Sequence, residues 1–507
     1  MPVATAAGSE RADGPDPQPQ PRSATGPLPR ATAPSASPAR INGVLSNRVL
    51  AAVASIPRAV ETGSAAHAAS ASVAHTPIRT TEFMASKITA PRGTQDLIPP
   101  QSARWQDVEA RIRELAHRFG YGEIRTPLFE STDLFVRGVG ETTDIVEKEM
   151  YTFPDKSERS MTLRPEWTAP VVRAALEHNL FAQGPLRVYY VGPIFRYERP
   201  QRGRYRQSHQ FGVECFGYAG PEADFEVISL AWELVRSYGI DDAVLNVNSI
   251  GDDACRPLFR ESLLAHFRPH AAQLSPESQR RLERNPLRVL DSKDERDLAL
   301  VATAPTIASV LCEDCRAHFS AVTGFLEAAG IPFVLNPQIV RGLDYYTRTV
   351  FEITSGALGA QSTVCGGGRY DGLVRSLGGP DVPAVGFALG IERLLMMLDA
   401  LAREGERPRS GIQAVALGAR ARATLVPIVA ELRRTLAIPT FVDFDERKLL
   451  AHLKTADRNG ARYALILGDD ELTAKTMVLR DLAERSDRSI PLGTGKDVAA
   501  SLVEMGV

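Results

Sequence analysis

Residues 188–218, VYYVGPIFRYERPQRGRYRQSHQFGVECFGY, constrain the fold of this chain more than any other stretch. Residues 188–195 are β-branched and aromatic with a break at Gly192-Pro193, and residues 210–218 alternate polar and apolar side chains at a period near two. The pattern predicts two strands of an antiparallel hairpin. Between them Arg196, Arg199, Arg202, Arg204 and Arg206 put five arginines into eleven residues beside a single acid, Glu198. Taken alone such a run is a solvated basic loop; held by a rigid hairpin, its planar cations suit phosphate. Arg196 falls at the end of the first strand, while Gln210 and Glu214, four apart on the second, share one face of the sheet. Together they read as the floor of a pocket.

A chain of 507 residues exceeds one ordinary core, so two or three domains with linkers are expected. Hydrophobic content of 44% fits a globular protein, and no run of eighteen apolar residues marks a membrane span. Net charge is only −2, so any nucleic acid must be met by local patches such as residues 196–206. The five cysteines, Cys215, Cys255, Cys312, Cys315 and Cys365, form no regular disulfide framework, which fits a reducing compartment. Cys312 and Cys315, followed by His318, have half the spacing of a zinc site but no second ligand pair at a usual distance, so two reduced thiols on a helix and no bound metal are expected.

The wording FRYERPQRGRYRQSHQFGVECFG resembles motif 2 of the class II aminoacyl-tRNA synthetases, and more narrowly the histidyl-tRNA synthetases. Three other places carry the same resemblance. Residues 105–119 place Trp105, Val108, Ile112, Leu115 and Phe119 on one helical face, Gly120 ends the helix, and a single strand GEIRTPLFEST is expected to follow. This pairing is similar to class II motif 1, which implies a homodimer interface. RGLDYY, residues 341–346, is similar to a signature of the histidyl family, and GFALGIERLLM to motif 3, with Arg393 near the N-terminus of a helix that carries Ile391, Leu394, Leu395 and Leu398 on another face. The glycine run in CGGGRYDGL lacks the strand-to-helix spacing of a phosphate loop and reads as close backbone approach in a pocket wall.

Residues 1–83 are rich in Ala, Pro, Ser and Thr, lack lysine and carry seven Arg against five acids, so they are expected to stay disordered. A start at Met84 and an organellar transit peptide both account for them, the proline-rich first forty residues fitting the second poorly. Residues 252–330 are polar and helix-prone with little strand pattern, a helical insertion that either folds over RNA or is purely structural. REGERPR, residues 403–409, reads as a linker, beyond which strands AVALG, TFVDF, YALILG and TMVLRDL alternate with helices around 425–436 and 449–456.

The fold class expected is therefore α+β: an antiparallel-sheet catalytic core of the class II type (84–250 and 331–402) with a helical insertion (251–330), plus a C-terminal α/β anticodon-binding domain (411–507). The resemblance implies a cytoplasmic enzyme that takes ATP with Mg2+, L-histidine and tRNA(His). It assigns Arg196 and Arg341 to the catalytic α-phosphate, and Arg196, Arg204 and Arg393 to ATP binding. Glu166, Trp167, Thr168, Gln210, Glu214, Arg341, Tyr345 and Tyr346 are the implied histidine-binding set, with Glu166 and Thr168 on the α-amino group and Glu214 and Tyr346 on the ring; Trp167 stands where glycine is commoner. Gln201 and Arg206 are the candidates for the acceptor end of the tRNA. The competing expectation is a non-catalytic, histidine-binding regulatory paralogue of histidine biosynthesis.

Overall fold

The computed structural model describes residues 88–140, 143–201, 203–339, 343–361, 363–401 and 409–507. The N-terminal segment 1–83, Arg202, Arg341 and most of the 403–409 linker lie outside the described residues.

In chain order, helix α1 (Gln101–Arg118) leads to β1 (Gly122–Glu123), β2 (Phe129–Ser131), α2 (Thr132–Val139), the hairpin β3 (Tyr151–Pro154) and β4 (Ser160–Leu163), and α3 (Thr168–Glu177). Then come β5 (Leu186–Phe195), β6 (Gln207–Phe216), α4 (Pro221–Ser237) and β7 (Ala243–Ser249). Four helices follow, α5 (Cys255–Phe267), α6 (Pro276–Arg284), α7 (Glu295–Ala302) and α8 (Glu313–Ala328), and after them β8 (Phe333–Leu335), β9 (Thr347–Ser355), β10 (Thr363–Arg369), α9 (Leu373–Ser376), β11 (Ala384–Gly390) and α10 (Ile391–Ala400).

An eight-stranded sheet of order β1-β5-β6-β11-β10-β9-β7-β8 carries the site. Its six central strands are antiparallel, and only the edge strands β1 and β8 pair in parallel. The long hairpin of β5 and β6 pairs from Leu186 with Phe216 to Phe195 with Gln207, so residues 196–206 form its loop. Alternation along β6 then sorts the side chains. Phe211, Val213 and Cys215 enter the main core with α1, α4 and α10, and residues 210, 212, 214 and 216 face the other way. Across that core the fully buried Arg369 of β10 pairs with the buried Asp224 of α4, which also meets His318 of α8 at 3.3 Å. A buried guanidinium keeps its charge only with such partners, and the carbonyls of Tyr218 and Gly220 and the Asp371 carboxylate (3.0 Å) accept its remaining protons.

The stretch GEIRTPLFEST departs from the single strand expected of it. It is broken into β1, on the edge of the large sheet, and β2, which belongs to a separate three-stranded sheet of order β2-β4-β3. Pro127 lies at the break, where it cannot donate to a ladder. Arg164, buried under this corner, holds it together by donating to the carbonyls of Thr126 and Pro193 and stacking its guanidinium 3.3 Å from the Trp167 ring centre. Burial lowers its pKa to about 10.

Helices α5 to α7 enclose an apolar cluster of their own, including Phe259, Leu263, Phe267, Leu282 and Val301, whereas Val322 and Leu326 of α8 belong to the main core. The C-terminal region contains β12 (Ile412–Ala416), α11 (Ala419–Thr435), β13 (Thr440–Val442), α12 (Leu449–Arg458), β14 (Tyr463–Leu467), α13 (Asp469–Ala474), β15 (Thr476–Asp481), β16 (Ser486–Pro491) and α14 (Gly495–Glu504). Its five-stranded sheet, order β13-β12-β14-β15-β16, is parallel through the first three strands and antiparallel in the last two pairings. Among the described residues no single helix is long and apolar enough to cross a membrane.

Candidate active site

Above the cleft-facing side of β6 lies a cavity of about 250 Å³. Glu166, Trp167, Thr168, Arg196, Arg204, Gln210, Glu214, Tyr345, Tyr346 and Arg393 all line it, drawn from six separate parts of the chain. Gln201 and Arg206 do not. Gln201 is exposed at the tip of the hairpin loop, whereas Arg206 sits at its base with its guanidinium 3.9 Å from the Tyr197 ring centre.

One end of the cleft is built on carboxylates. Glu214 is buried, and it accepts hydrogen bonds from the hydroxyls of Thr168 (2.8 Å), Tyr190 (3.2 Å) and Tyr370. Burial lifts its pKa to about 8 even though all three hydroxyls pull the other way. The carboxylate fits because β11 offers glycine opposite it: a Cβ on Gly386 would lie 2.0 Å from Glu214 Oε2. Glu166 is buried beside it and accepts the backbone N–H of Thr168 (2.6 Å) and of Ala169 (2.9 Å), capping α3. Burial raises its pKa as well. Each carboxylate oxygen has a second lone pair, so the capping bonds leave Glu166 able to accept from an ammonium. Trp167 stacks at 4.6 Å on Tyr190, and the rings of Tyr345, Tyr346 and Tyr370 pack edge to face or tilted around the same carboxylates.

The other end is cationic. Arg196 donates to the carbonyl of Pro165 (2.8 Å), and Glu198 lies between Arg196 (4.0 Å) and Arg204 (3.3 Å). Arg393, in the first turn of α10, donates to the carbonyls of Thr363 (2.7 Å) and Gly203 (3.3 Å). Its pKa is held down first by burial and then by the neighbouring Arg204 and Arg196 charges, the mark of three guanidiniums converging on one space. An anion bound there would relieve that repulsion. Glu392, the residue before it, is buried and accepts the backbone N–H of His209 at 2.9 Å while facing its imidazole Nδ1 at 2.9 Å, which fixes α10 against β6.

Tyr190, Tyr370 and Glu392 escaped the sequence reading. Tyr190 was within reach of it, because it sits opposite Gly212 on the same face of the hairpin as Glu214. Tyr370 follows the glycine run of β10 and carries no spacing signal. The glycines themselves lie on the central strand β10, where Gly366 lines the cleft and a Cβ on Gly367 would meet the Gly386 carbonyl at 2.2 Å, the close backbone approach in a pocket wall expected of them. Asp252 and Cys255, 57 residues or more upstream, join Cys312 and Cys315 in a group that their linear spacing does not reveal, with four possible ligand atoms all within 4.8 Å of one another.

With this geometry in view, the likeness to known proteins is specific. A family model described as histidyl-tRNA synthetase matches residues 93–394, and one described as an anticodon-binding domain matches residues 415–501. A histidine–tRNA ligase of Desulforudis audaxviator is 50% identical over 407 residues, covering 80% of this chain and 97% of that protein. One from Geobacillus kaustophilus is 51% identical over 411 residues, covering 80% and 96%. The crystal structure of apo S. aureus histidyl-tRNA synthetase aligns with a TM-score of 0.68 at 37% identity, over 83% of this chain and 99% of that one. By sequence model, relatives and fold alike, this chain belongs to the histidyl-tRNA synthetase family.

Proposed function

We propose that this chain joins L-histidine to tRNA(His) in two ATP-driven steps, with histidyl-adenylate between them. The observation that carries the reading is the polarity of one cleft, with two buried carboxylates at one end and Arg196, Arg204 and Arg393 at the other. A zwitterionic amino acid with an imidazole fits the first end, and a nucleoside triphosphate the second. In the first step a histidine carboxylate oxygen attacks the α-phosphorus, and the bond to diphosphate breaks as the new P–O bond forms. In the second a terminal ribose hydroxyl of the tRNA attacks the acyl carbonyl and AMP leaves. Neither step requires a side-chain nucleophile; the protein positions reactants and neutralises charge on the phosphoryl oxygens.

Glu166 and Thr168 are assigned to the α-amino group, Glu214 and Tyr346 to the ring, and Gln210, Trp167 and Tyr345 to the remaining wall. Arg196, with Arg341, is assigned to the α-phosphate, and Arg204 and Arg393 to the outer phosphates. Glu198 and Glu352, which both act on Arg393, put hard oxygen donors at that end and fit Mg2+, an ion that takes one or two carboxylates beside phosphate oxygens. When bound, that ion supplies neutralisation of phosphate charge. Gln201 and Arg206 are assigned to the tRNA acceptor end. Residues 84–250 and 331–402 would be the catalytic core, 251–330 an insertion, and 411–507 the anticodon-binding domain of a cytoplasmic homodimer.

A histidine-binding regulatory protein would need only the carboxylate end. The three arginines and relatives named as ligases at about 50% identity favour catalysis. Histidine-dependent exchange of labelled diphosphate into ATP, followed by acylation of tRNA(His), tests the reading; a chain that binds histidine and exchanges nothing would return it to the regulatory class.

A further inference from the structure

Asp252, Cys255, Cys312 and Cys315 lie at the neck through which the α5–α7 segment leaves β7 and rejoins the main core at α8. Asp252 and Cys255 follow β7 directly, and Cys312 and Cys315 straddle the N-terminus of α8. The turn out of β7 is made by Gly251 at φ +66°, where a Cβ would come within 2.6 Å of the Cys255 Cβ. Only a residue without a side chain lets Asp252 and Cys255 fold back side by side there. Asp252 Oδ1 then accepts the backbone N–H of Ala254 (3.1 Å) and Cys255 (3.2 Å), which fixes the carboxylate, while Oδ2 lies 4.0 Å from the Arg348 guanidinium. Cys312 Sγ lies 3.8 Å from that oxygen, and the Cys312 N–H donates to Cys255 Sγ at 3.1 Å. Cys255 and Cys315 are 1% exposed.

Ligands on a tetrahedral zinc ion, with Zn–S about 2.3 Å, stand about 3.7 Å from one another. Four donor atoms all within 4.8 Å match a single ion of that size and are too close for a cluster of several metals. We propose that these four side chains hold one structural zinc ion that clasps the neck of the α5–α7 segment and takes no part in the chemical steps assigned above. The donor set argues for this cation. Three thiolates exclude hard ions such as Mg2+ and Ca2+, and four protein ligands leave no open position for catalysis. A redox disulfide is the other chemistry available to close thiols, but it accounts for only two of the three sulfurs. The amide donated to Cys255 Sγ and the N-terminal end of α8 both favour sulfur as the anion a metal requires.

The clasp also reaches the active cleft. The backbone N–H of Arg348 donates to the Gly251 carbonyl at 2.7 Å, and the N–H of Ile250 to the Arg348 carbonyl at 2.7 Å, two residues beyond Tyr346. Losing the metal should therefore loosen the segment first and histidine binding second.

The test is metal analysis of the full chain purified without chelator or added metal, by plasma mass spectrometry, with thiol titration under denaturing conditions. About one zinc per chain is expected, retained by a Cys365→Ser control and lost by Cys312→Ser/Cys315→Ser. Replacement by Co2+ should give the intense sulfur-to-metal charge-transfer absorption of thiolate ligation. Asp252→Asn, which keeps the shape, should release zinc to a colorimetric chelator many-fold faster. Wild-type protein that stays metal-free after equilibration with zinc, with all five thiols titrating, would overturn the proposal. Metal-free protein that gains two thiols only on reduction would replace it with a disulfide. Because the wild-type measurement decides, a variant that fails to fold does not shield the idea.

Discussion

Replacing Glu214 by glutamine should make the ligand-free protein more tolerant of high pH while crippling its use of histidine. Burial raises the Glu214 carboxyl from 4.5 to about 8. The native state thus binds this proton more tightly than the unfolded chain does, and stability falls as pH rises from the unfolded value towards the folded one, then levels off. Integrating between those two values, the wild-type penalty grows by about 3 kcal/mol from pH 5.5 to pH 8.5. Glutamine cannot ionise, so its penalty is constant. It also offers one oxygen and two N–H groups to the three hydroxyls of Thr168, Tyr190 and Tyr370, which loses hydrogen bonds of about 1 kcal/mol each at every pH. The difference in melting temperature between variant and wild type should accordingly climb by roughly 3–6 °C over that pH interval, whatever its value at the acid end. Thermal unfolding at matched ionic strength reads this difference, in which groups common to both proteins cancel. Diphosphate exchange should meanwhile fall about 10- to 100-fold in kcat/KM for histidine, from a lost hydrogen bond to a charged group. A flat difference across the interval would refute the raised pKa, and unchanged histidine kinetics would remove Glu214 from the substrate pocket.

Three further outcomes follow from other contacts. Gly386→Ala should destabilise by about 1–3 kcal/mol and lower histidine-dependent exchange, because the new Cβ meets the Glu214 carboxylate at 2.0 Å and the Val213 carbonyl at 2.4 Å; melting temperature and exchange rate measure the two effects. Asp224→Ala, which leaves the buried Arg369 with Asp371 as its remaining carboxylate partner and removes the partner of His318, should cost about 3 kcal/mol in urea denaturation. Arg393→Ala should slow adenylate formation about 10²–10³-fold in single-turnover assays while leaving histidine binding by calorimetry unchanged, since its guanidinium lies at the phosphate end.

The hairpin of β5 and β6 was legible because a period of two and a break at Gly192-Pro193 are local properties, and one register decision then fixed which face Gln210 and Glu214 share. The helical face of α1 was legible for the same reason: Trp105, Val108, Ile112 and Leu115 are all buried. GEIRTPLFEST misled because its composition suits a strand throughout, while the corner at residues 124–128 is imposed by a distant guanidinium. Arg164 takes the carbonyls there from 38 residues away, and no window along the chain contains that bond.

The same division runs through the site. The cleft residues reached through motifs lie on β6, in the hairpin loop before it, at the starts of α3 and α10 and just before β9, each group close enough in sequence for spacing to convert into spatial neighbours. What spacing could not supply was the set of hydroxyls that decides the chemistry of Glu214. Tyr370 reaches it across 156 residues and Thr168 across 46. A lone glutamate on an alternating strand is, by its own pattern, a solvent-facing residue. It becomes a buried acid with a pKa of about 8 because β11 places glycine opposite, α3 begins beneath it and a tyrosine follows the β10 glycines. Three segments that are unremarkable singly are therefore jointly required, and the Cys255 and Cys312 neighbourhood repeats the case: half of the proposed zinc site lies in the Cys312 and Cys315 spacing, and the turn at Gly251 brings up the other half. Function in this chain thus resides in pairings of distant segments, and the motif stretches mark only the element from which each pairing starts.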